Sequence, residues 1–326
     1  MKRALIYYEI LAYQPENLDL LNNNFDVTTV PDPSHDKEFQ LEKAEIILAP
    51  LGYYVGKEKI DQMPHLKCIG SNTTGHPHID VEYAAKKGIK VVTLKDHQDF
   101  LDTITPTSEL TWGLIIALSR KMLPAARSVT NGNWSRWPFG GEHMLSQMRL
   151  GIIGLGRLGK KVAGYGRAFD MEVAYYDPYV DAEKVGFASR DLELISRLED
   201  LVSWADIITL HVPHEPETEN LINRTIIGQF KPGSFFINTS RGELVDHDAL
   251  LHALKGKAIG GAALDVLDGE FVPGFENRVL ENALVQYARN NDNLIITPHI
   301  GGSTRDAWTL TQEFTIKKII EYFENI

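Results

Sequence analysis

The chain holds a single cysteine, Cys68, in 326 residues. That excludes an internal disulfide framework and any metal cluster built on cysteine, and it fits a reducing cytoplasm. Long apolar runs are missing too. The longest uncharged, apolar-leaning stretch, Leu110 to Ser119, spans ten residues, whereas a membrane-crossing helix needs about 20. The opening segment Met1–Glu9 carries an apolar run too short for the core of a signal peptide, so no targeting segment is expected. Basic residues are outnumbered: 33 Lys and Arg face 44 Asp and Glu, a formal net charge of −11. That balance argues against a general binder of nucleic acid or of anionic membrane. Sequence repeats and low-complexity tracts are absent as well. What remains, 43% apolar and 24% charged residues, is an ordinary globular composition, at a length suited to about two domains.

Short apolar strands alternate with helical patterns, the signature of parallel α/β sheets. The first series predicts strands at Arg3–Tyr8, Phe25–Val30, Glu45–Ala49, Lys67–Ser71 and Ile89–Thr93. Between them Asp80–Lys87 reads as a helix stopped by Gly88. The rhythm then breaks: Pro106–Met122 predicts one long helix, and the Trp134 and Trp137 region an irregular arm. A second series runs through Leu150–Ile153, Glu172–Tyr176, Asp206–Leu210, Ser234–Asn238, Ile259–Leu264 and Leu294–Thr297. The final segment, Ser303 to Phe323, follows a helical period. Two α/β sheets in succession are the simplest reading.

The strongest local signal is Gly154-Leu155-Gly156-Arg157-Leu158-Gly159, which follows the apolar strand Leu150–Ile153 and opens a helical pattern. This is G-x-G-x-x-G in the setting the motif requires. Gly154 permits the tight turn, Gly156 lets backbone N–H groups approach a pyrophosphate, and Gly159 lets the helix sit close to the strand. The helix N-terminus then faces the phosphates. The next strand ends in Asp177, whose carboxylate suits an adenosine ribose and repels a 2′-phosphate. The expected cofactor is NAD.

Three later strands run into reactive groups, at the ends where open parallel sheets place ligands. They are Asn238-Thr239-Ser240-Arg241-Gly242, Leu264-Asp265-Val266 with Glu270 beyond it, and Thr297-Pro298-His299-Ile300-Gly301-Gly302. With these ordered motifs the chain resembles the D-isomer-specific 2-hydroxyacid dehydrogenases, a family that includes phosphoglycerate, glycerate and D-lactate dehydrogenases. The resemblance runs from Asp80 to the final helix.

The resemblance implies two doubly wound parallel-sheet domains, one flavodoxin-like and one dinucleotide-binding, with a cleft between them. Residues 1–101 plus 300–326 would form the substrate-binding domain and 102–299 the NAD-binding domain. It assigns Arg241 to the substrate carboxylate, His299 to proton transfer and Glu270 to the carboxylate behind it. Asp265 falls near the nicotinamide carboxamide and Val212 beside the cofactor. Further cofactor contacts are implied at Thr74, Arg157, Leu158, Thr239, Ser240, Gly301 and Gly302. Thr74 and Gly75 would hold the substrate carboxylate through backbone N–H groups. The physical roles agree with this. Hydride reaching a ketone carbon builds negative charge on oxygen, which a histidine neutralises near pH 7. An arginine fork holds a carboxylate in two places.

Several features depart from the family. His76-Pro77-His78 follows the Thr74-Gly75 turn. His-x-His spacing suggests a metal, but no cysteine or carboxylate partner accompanies it, so no metal is assigned. His211 and His214 get the same reading. The segment Phe271–Asn293 is longer than in compact members, and the regulatory domain of some phosphoglycerate dehydrogenases is not expected after the final helix. Ser71 and Ala49-Pro50-Leu51 stand where phosphoglycerate-specific members place arginines. Leu51-Gly52-Tyr53-Tyr54 and His76 are candidate substrate contacts. The Pro106–Met122 helix and the tryptophan arm resemble the family's dimer interface, so a homodimer is expected, with a small 2-hydroxy or 2-oxo acid as partner molecule. Two rivals stay open: a dehydrogenase of another small anion, such as formate or phosphite, and an NAD-sensing protein like the family's corepressors.

Overall fold

Strand and helix alternate along the chain and gather into two parallel sheets, one in each of two units. The computed structural model describes residues 2–180, 192–272 and 274–325. Pro273, within the long segment 271–293, lies outside the described residues. The first unit comprises Met1–Ile104, Phe271–Pro273 and Ser303–Ile326, and the second Thr105–Glu270 and Gly274–Gly302.

In the first unit β1 (Arg3–Tyr8), β2 (Phe25–Val30), β3 (Ile46–Leu48), β4 (Cys68–Gly70) and β5 (Lys90–Val92) pair in the order β2-β1-β3-β4-β5. All pairs are parallel, and the order is that of a flavodoxin-like sheet. The period of two in β1 divides its side chains between two cores. Leu5 and Tyr7 pack with Leu21, Ile316 and Ile319, whereas Ile6 and Tyr8 pack with Ile47, Ile60 and Ile69. The last helix, Arg305–Glu324, therefore belongs to this unit. It lies so close to β4 that a Cβ on Gly70 would stand 2.6 Å from Ile319 Cδ1. Asp80 caps the helix Val81–Lys86 by accepting from Tyr83 N at 2.9 Å, and Gly88 ends it at φ 72°.

The second unit holds β6 (Arg149–Ile153), β7 (Glu172–Tyr176), β8 (Glu193–Leu194), β9 (Ile207–Leu210), β10 (Phe235–Asn238), β11 (Gly261–Leu264) and β12 (Leu294–Ile296). Their order is β12-β11-β10-β9-β6-β7-β8, again all parallel. Strand order reverses between β6 and β9, the switch point at which such sheets bind dinucleotides. One face of this sheet is covered by a core around Leu201, Leu250 and Leu254, the other by Ile115, Leu118 and Val162.

The single helix expected over Pro106–Met122 is two. Pro106–Ser119 ends before Lys121, which sits at φ 50°, and a second helix occupies Met122–Thr130. Pro124 accounts for the break. It has no N–H to give to the carbonyl of Arg120, so it is tolerated in a first turn and not in a helix interior. Among the described residues no helix is long and apolar enough to cross a membrane.

Candidate active site

The glycine loop leaves β6 at the switch point, and its three glycines answer three different demands. Gly154 has φ 89°, and a Cβ there would stand 2.6 Å from His211 O and 2.7 Å from Val212 Cγ1. The loop thus presses against the end of β9, which brings Val212 beside it. A Cβ on Gly159 would overlap Gly154 O, so the helix Arg157–Ala168 sits directly on the turn. Among the described residues nothing stands within 4 Å of a Cβ on Gly156, and no side chain caps the 12-residue helix it precedes. Open room before an uncapped helix N-terminus fits a pyrophosphate. Arg157 and Leu158, both half-buried, form the first turn. Asp177, at the end of β7, accepts from Leu155 N at 2.8 Å and from Tyr179 N at 2.9 Å. Its carboxylate is therefore fixed at the loop. The residues present fit a dinucleotide such as NAD.

At the end of β10 the Asn238 amide braces the turn that carries Arg241. Asn238 Nδ2 donates to Arg241 O at 2.7 Å, and its Oδ1 accepts from Ser240 N at 2.9 Å. Ser240 Oγ reaches Leu210 O at 2.7 Å, and the buried Thr239 hydroxyl meets that of Thr111 at 2.8 Å. Gly242 is required because any Cβ would overlap the backbone of Leu267 and Asp268. This close contact brings the Arg241 turn onto the loop that leads to Glu270. Arg241 is half-buried, and its Nη1 donates to Ser240 O at 2.6 Å.

Asp265 is 1% exposed and organises the segment 297–301. Its Oδ1 accepts from Thr297 Oγ1 at 2.6 Å and Ile300 N at 2.9 Å, and its Oδ2 from Gly301 N at 2.7 Å. Burial raises its pKa above the usual carboxylate value, against the lowering effect of these bonds and of His299. A Cβ on Gly301 would stand 2.9 Å from Asp265 Oδ2, while Gly302 faces open space. The clamp holds His299 at φ 51°, with its N–H donated to Asp265 O at 2.8 Å and Thr297 O at 3.0 Å. A left-handed histidine costs about 1–3 kcal/mol and persists only where its surroundings enforce it.

His299 Nδ1 lies 2.7 Å from Glu270 Oε1, with the two side chains 30% and 11% exposed. Glu270 Oε2 accepts from Leu267 N at 3.4 Å. An ionised carboxylate can only accept, so Nδ1 is the donor in this pair and Nε2 is the ring atom left to exchange a proton.

The structure thus brings Gly154, Gly156, Gly159, Asp177 and Val212 together at one end of the second sheet, and Asp265, Glu270, His299 and Gly301 into one bonded group. Thr74, which is exposed, and Gly75, half-buried, belong to the first unit, on the loop after β4. His76 and His78 diverge in environment: His78 is buried against Ser71, with Nε2 3.0 Å from Ser71 Oγ, and His76 is half-buried. Among the described residues no group of three His, Cys, Asp or Glu could hold a metal ion. The ring nitrogens of His211 are buried without a partner among the described residues, and desolvation pulls its pKa down to about 4. Sequence reasoning missed Asn238 and Thr297. Both lie inside the motifs that pointed to Arg241 and His299, and a polar residue repeated beside a reactive one was the available signal.

Comparison with known proteins shows what the chain is similar to. The family model described as "D-isomer specific 2-hydroxyacid dehydrogenase, NAD binding domain" matches residues 112–301. The D-3-phosphoglycerate dehydrogenase of Methanocaldococcus jannaschii is 38% identical over 299 residues, which cover 89% of this chain and 53% of that protein. The Bacillus subtilis enzyme of the same name is 34% identical, over 83% of this chain and 48% of its own. The chain thus spans about half the length of these curated relatives. Among solved structures, D-lactate dehydrogenase from Aquifex aeolicus, complexed with NAD and lactic acid, superposes with a TM-score of 0.83 at 29% identity. The match covers 99% of this chain and 96% of that one.

Proposed function

The chain belongs to the D-isomer specific 2-hydroxyacid dehydrogenase family, and from that membership we propose that it interconverts a D-2-hydroxy acid and its 2-oxo acid with NAD as cofactor. The observation that carries the proposal is the 2.7 Å contact between His299 Nδ1 and Glu270 Oε1, on a backbone held in the left-handed region by Asp265. It is the arrangement of an oriented acid–base histidine.

NADH, when held by the glycine loop, would supply the hydride that reduces the ketone carbon. As negative charge grows on the substrate oxygen, His299 Nε2 gives it a proton, and in the opposite direction Nε2 takes the hydroxyl proton. Glu270 orients the ring by accepting from Nδ1. Arg241 grips the substrate carboxylate with its planar fork, which fixes the face that the ketone presents. The loop at Gly154, Gly156 and Gly159, with Arg157, Leu158, Asp177 and Val212, would hold the cofactor. Thr239, Ser240, Asp265, Gly301, Gly302 and Thr74 are assigned to it on the resemblance. Thr74 and Gly75 are assigned to the substrate carboxylate on the same basis. Residues 102–299 thereby form the NAD-binding part, and 1–101 with 300–326 the substrate-binding part.

The same reading includes a homodimer. Trp134 and Trp137 are 87% and 77% exposed, and Met122, Leu123 and Val129 about half exposed. Apolar exposure concentrated on one segment supports an interface there.

Following NADH absorbance while 2-oxo acids are added tests the function. Oxidation of NADH with at least one of them, lost by a factor of about 10²–10⁴ in His299→Ala, is expected. Tight NADH binding without turnover on any of them would favour the sensing protein instead.

A further inference from the structure

Three side chains of the first unit form a hydrogen-bonded chain that the chemistry above leaves unused. His78 Nε2 lies 3.0 Å from Ser71 Oγ, Ser71 Oγ lies 2.9 Å from Thr73 Oγ1, and Thr73 Oγ1 donates to Gly75 O at 2.6 Å. Ser71 and His78 are buried, at 2% and 5% exposure. All three stand beside the Thr74-Gly75 turn.

The order of protons follows from the far end. A carbonyl only accepts, so the Thr73 hydroxyl hydrogen is committed to Gly75 O. Thr73 Oγ1 then accepts from Ser71, whose other acceptor, Ala49 O, is more distant at 3.4 Å. Ser71 Oγ in turn accepts from His78, which places the ring hydrogen on Nε2. A separate observation gives the same tautomer. His78 Nδ1 is buried without a partner among the described residues, and a bare lone pair is tolerated there more readily than an orphaned N–H. Burial pulls the His78 pKa down to about 4, with the Ala49 carbonyl opposing and His76 reinforcing the shift. At neutral pH the ring is therefore an uncharged donor.

The chain has a consequence for the backbone. It turns the Gly75 carbonyl toward Thr73, and in a planar trans peptide the N–H of His76 must then point to the other side. The N–H groups of Thr74, Gly75 and His76 have no acceptor among the described residues. Neighbouring backbone N–H groups held in this way make an anion cradle.

We propose that His78, acting through Ser71 and Thr73, is a positioning residue that presets the Thr74–His76 turn to receive the substrate carboxylate, with His76 N–H as an additional donor. This rests on the reading of that turn as substrate-binding. It accounts for a buried histidine in a segment that departs from the family, without invoking a metal.

The test is steady-state kinetics with the best 2-oxo acid, alongside NADH binding by fluorescence. His78→Phe keeps a ring but removes the donor, and Thr73→Val cuts the last link with little change in shape. Each should raise KM for the oxo acid by about tenfold, the effect of one lost hydrogen bond, with a smaller change in kcat and an unchanged Kd for NADH. His78→Gln returns an N–H near the position of Nε2 and should recover most of the loss. The double variant should be no worse than either single one, because both break the same chain. An unchanged oxo-acid KM in a folded His78→Phe, additive losses, or an equal loss of NADH binding would overturn the proposal. If His78→Phe does not fold, Thr73→Val decides by the same criteria. A wild type that turns over while the variants keep its KM removes the relay alone. A wild type inert to every oxo acid removes the functional reading and the relay with it.

Discussion

Glu270 and His299 meet across 29 positions of sequence, and their 2.7 Å contact holds the ring in one orientation. Glu270→Ala removes the acceptor at Nδ1, so kcat/KM is expected to fall by at least about tenfold in both directions. Steady-state kinetics in both directions decide this, and an undiminished kcat/KM would reduce Glu270 to a rim residue. A second prediction concerns stability. Burial pulls His78 and His211 down to about 4 from an ordinary 6.5. Below pH 6.5 the unfolded chain takes up protons that the folded chain refuses until about pH 4. The stabilisation they give is therefore complete above 6.5 and lost as pH falls to 4, at up to ~1.4 kcal/mol per unit for each ring. Thermal melts from pH 7 to 4 should fall less steeply in His211→Gln than in the wild type. Parallel slopes would contradict the assignment.

The element that matters most is the turn from β6 into the helix Arg157–Ala168. Because a Cβ on Gly159 would overlap Gly154 O, Gly159→Ala should weaken NADH binding by more than tenfold even where the fold survives, measured by fluorescence titration. Asp177, fixed at the same turn, should give NADH at least about a 100-fold advantage over NADPH in kcat/KM, since a like charge near a 2′-phosphate costs several kcal/mol. Comparable values for both cofactors would refute this. Such elements were legible where a period ran long enough to read. β1, β2 and β7 fall on the residues expected, because six or five residues of strand pattern end in clear punctuation. β8 has only two residues, Glu193 and Leu194, and shows no period. The break at Lys121 falls near the end of a helical pattern that Arg120 and Lys121 do not interrupt, since both are good helix formers, and Pro124 is its only mark. At the site, Arg241, His299 and the glycines were visible by type and place. The roles of Thr297 and the buried carboxylate of Asp265 depend on bonds between segments more than 30 residues apart, which no local pattern contains, whereas Asn238 braces its own turn through Ser240 and Arg241.

At the scale of the molecule, strand orders of 2-1-3-4-5 in the first unit and a reversal between β6 and β9 in the second set where ligands can bind. The first unit also bears on substrate choice. Lys57 is paired with Asp61 at 2.5 Å, and the half-buried Lys59 is paired with Asp36 and bonded to Tyr8 Oη at 2.7 Å. Neither lysine is disposed to bind a phosphate, and Ser71 is buried in the His78 chain. An unphosphorylated 2-oxo acid is therefore expected to outperform 3-phosphohydroxypyruvate in kcat/KM, even though curated relatives carry the name D-3-phosphoglycerate dehydrogenase. The reverse ranking would show that this unit holds phosphate by other means. The central claim, hydride transfer at the carbon of a D-2-hydroxy acid with His299 exchanging the proton, is tested most directly by stereochemistry. Separate D and L isomers of the hydroxy acid matching the best oxo acid are offered with NAD, and NADH formation is followed. The account predicts NADH from the D isomer alone, abolished in His299→Ala; NADH from the L isomer at a comparable rate, or an undiminished rate in the variant, would contradict it.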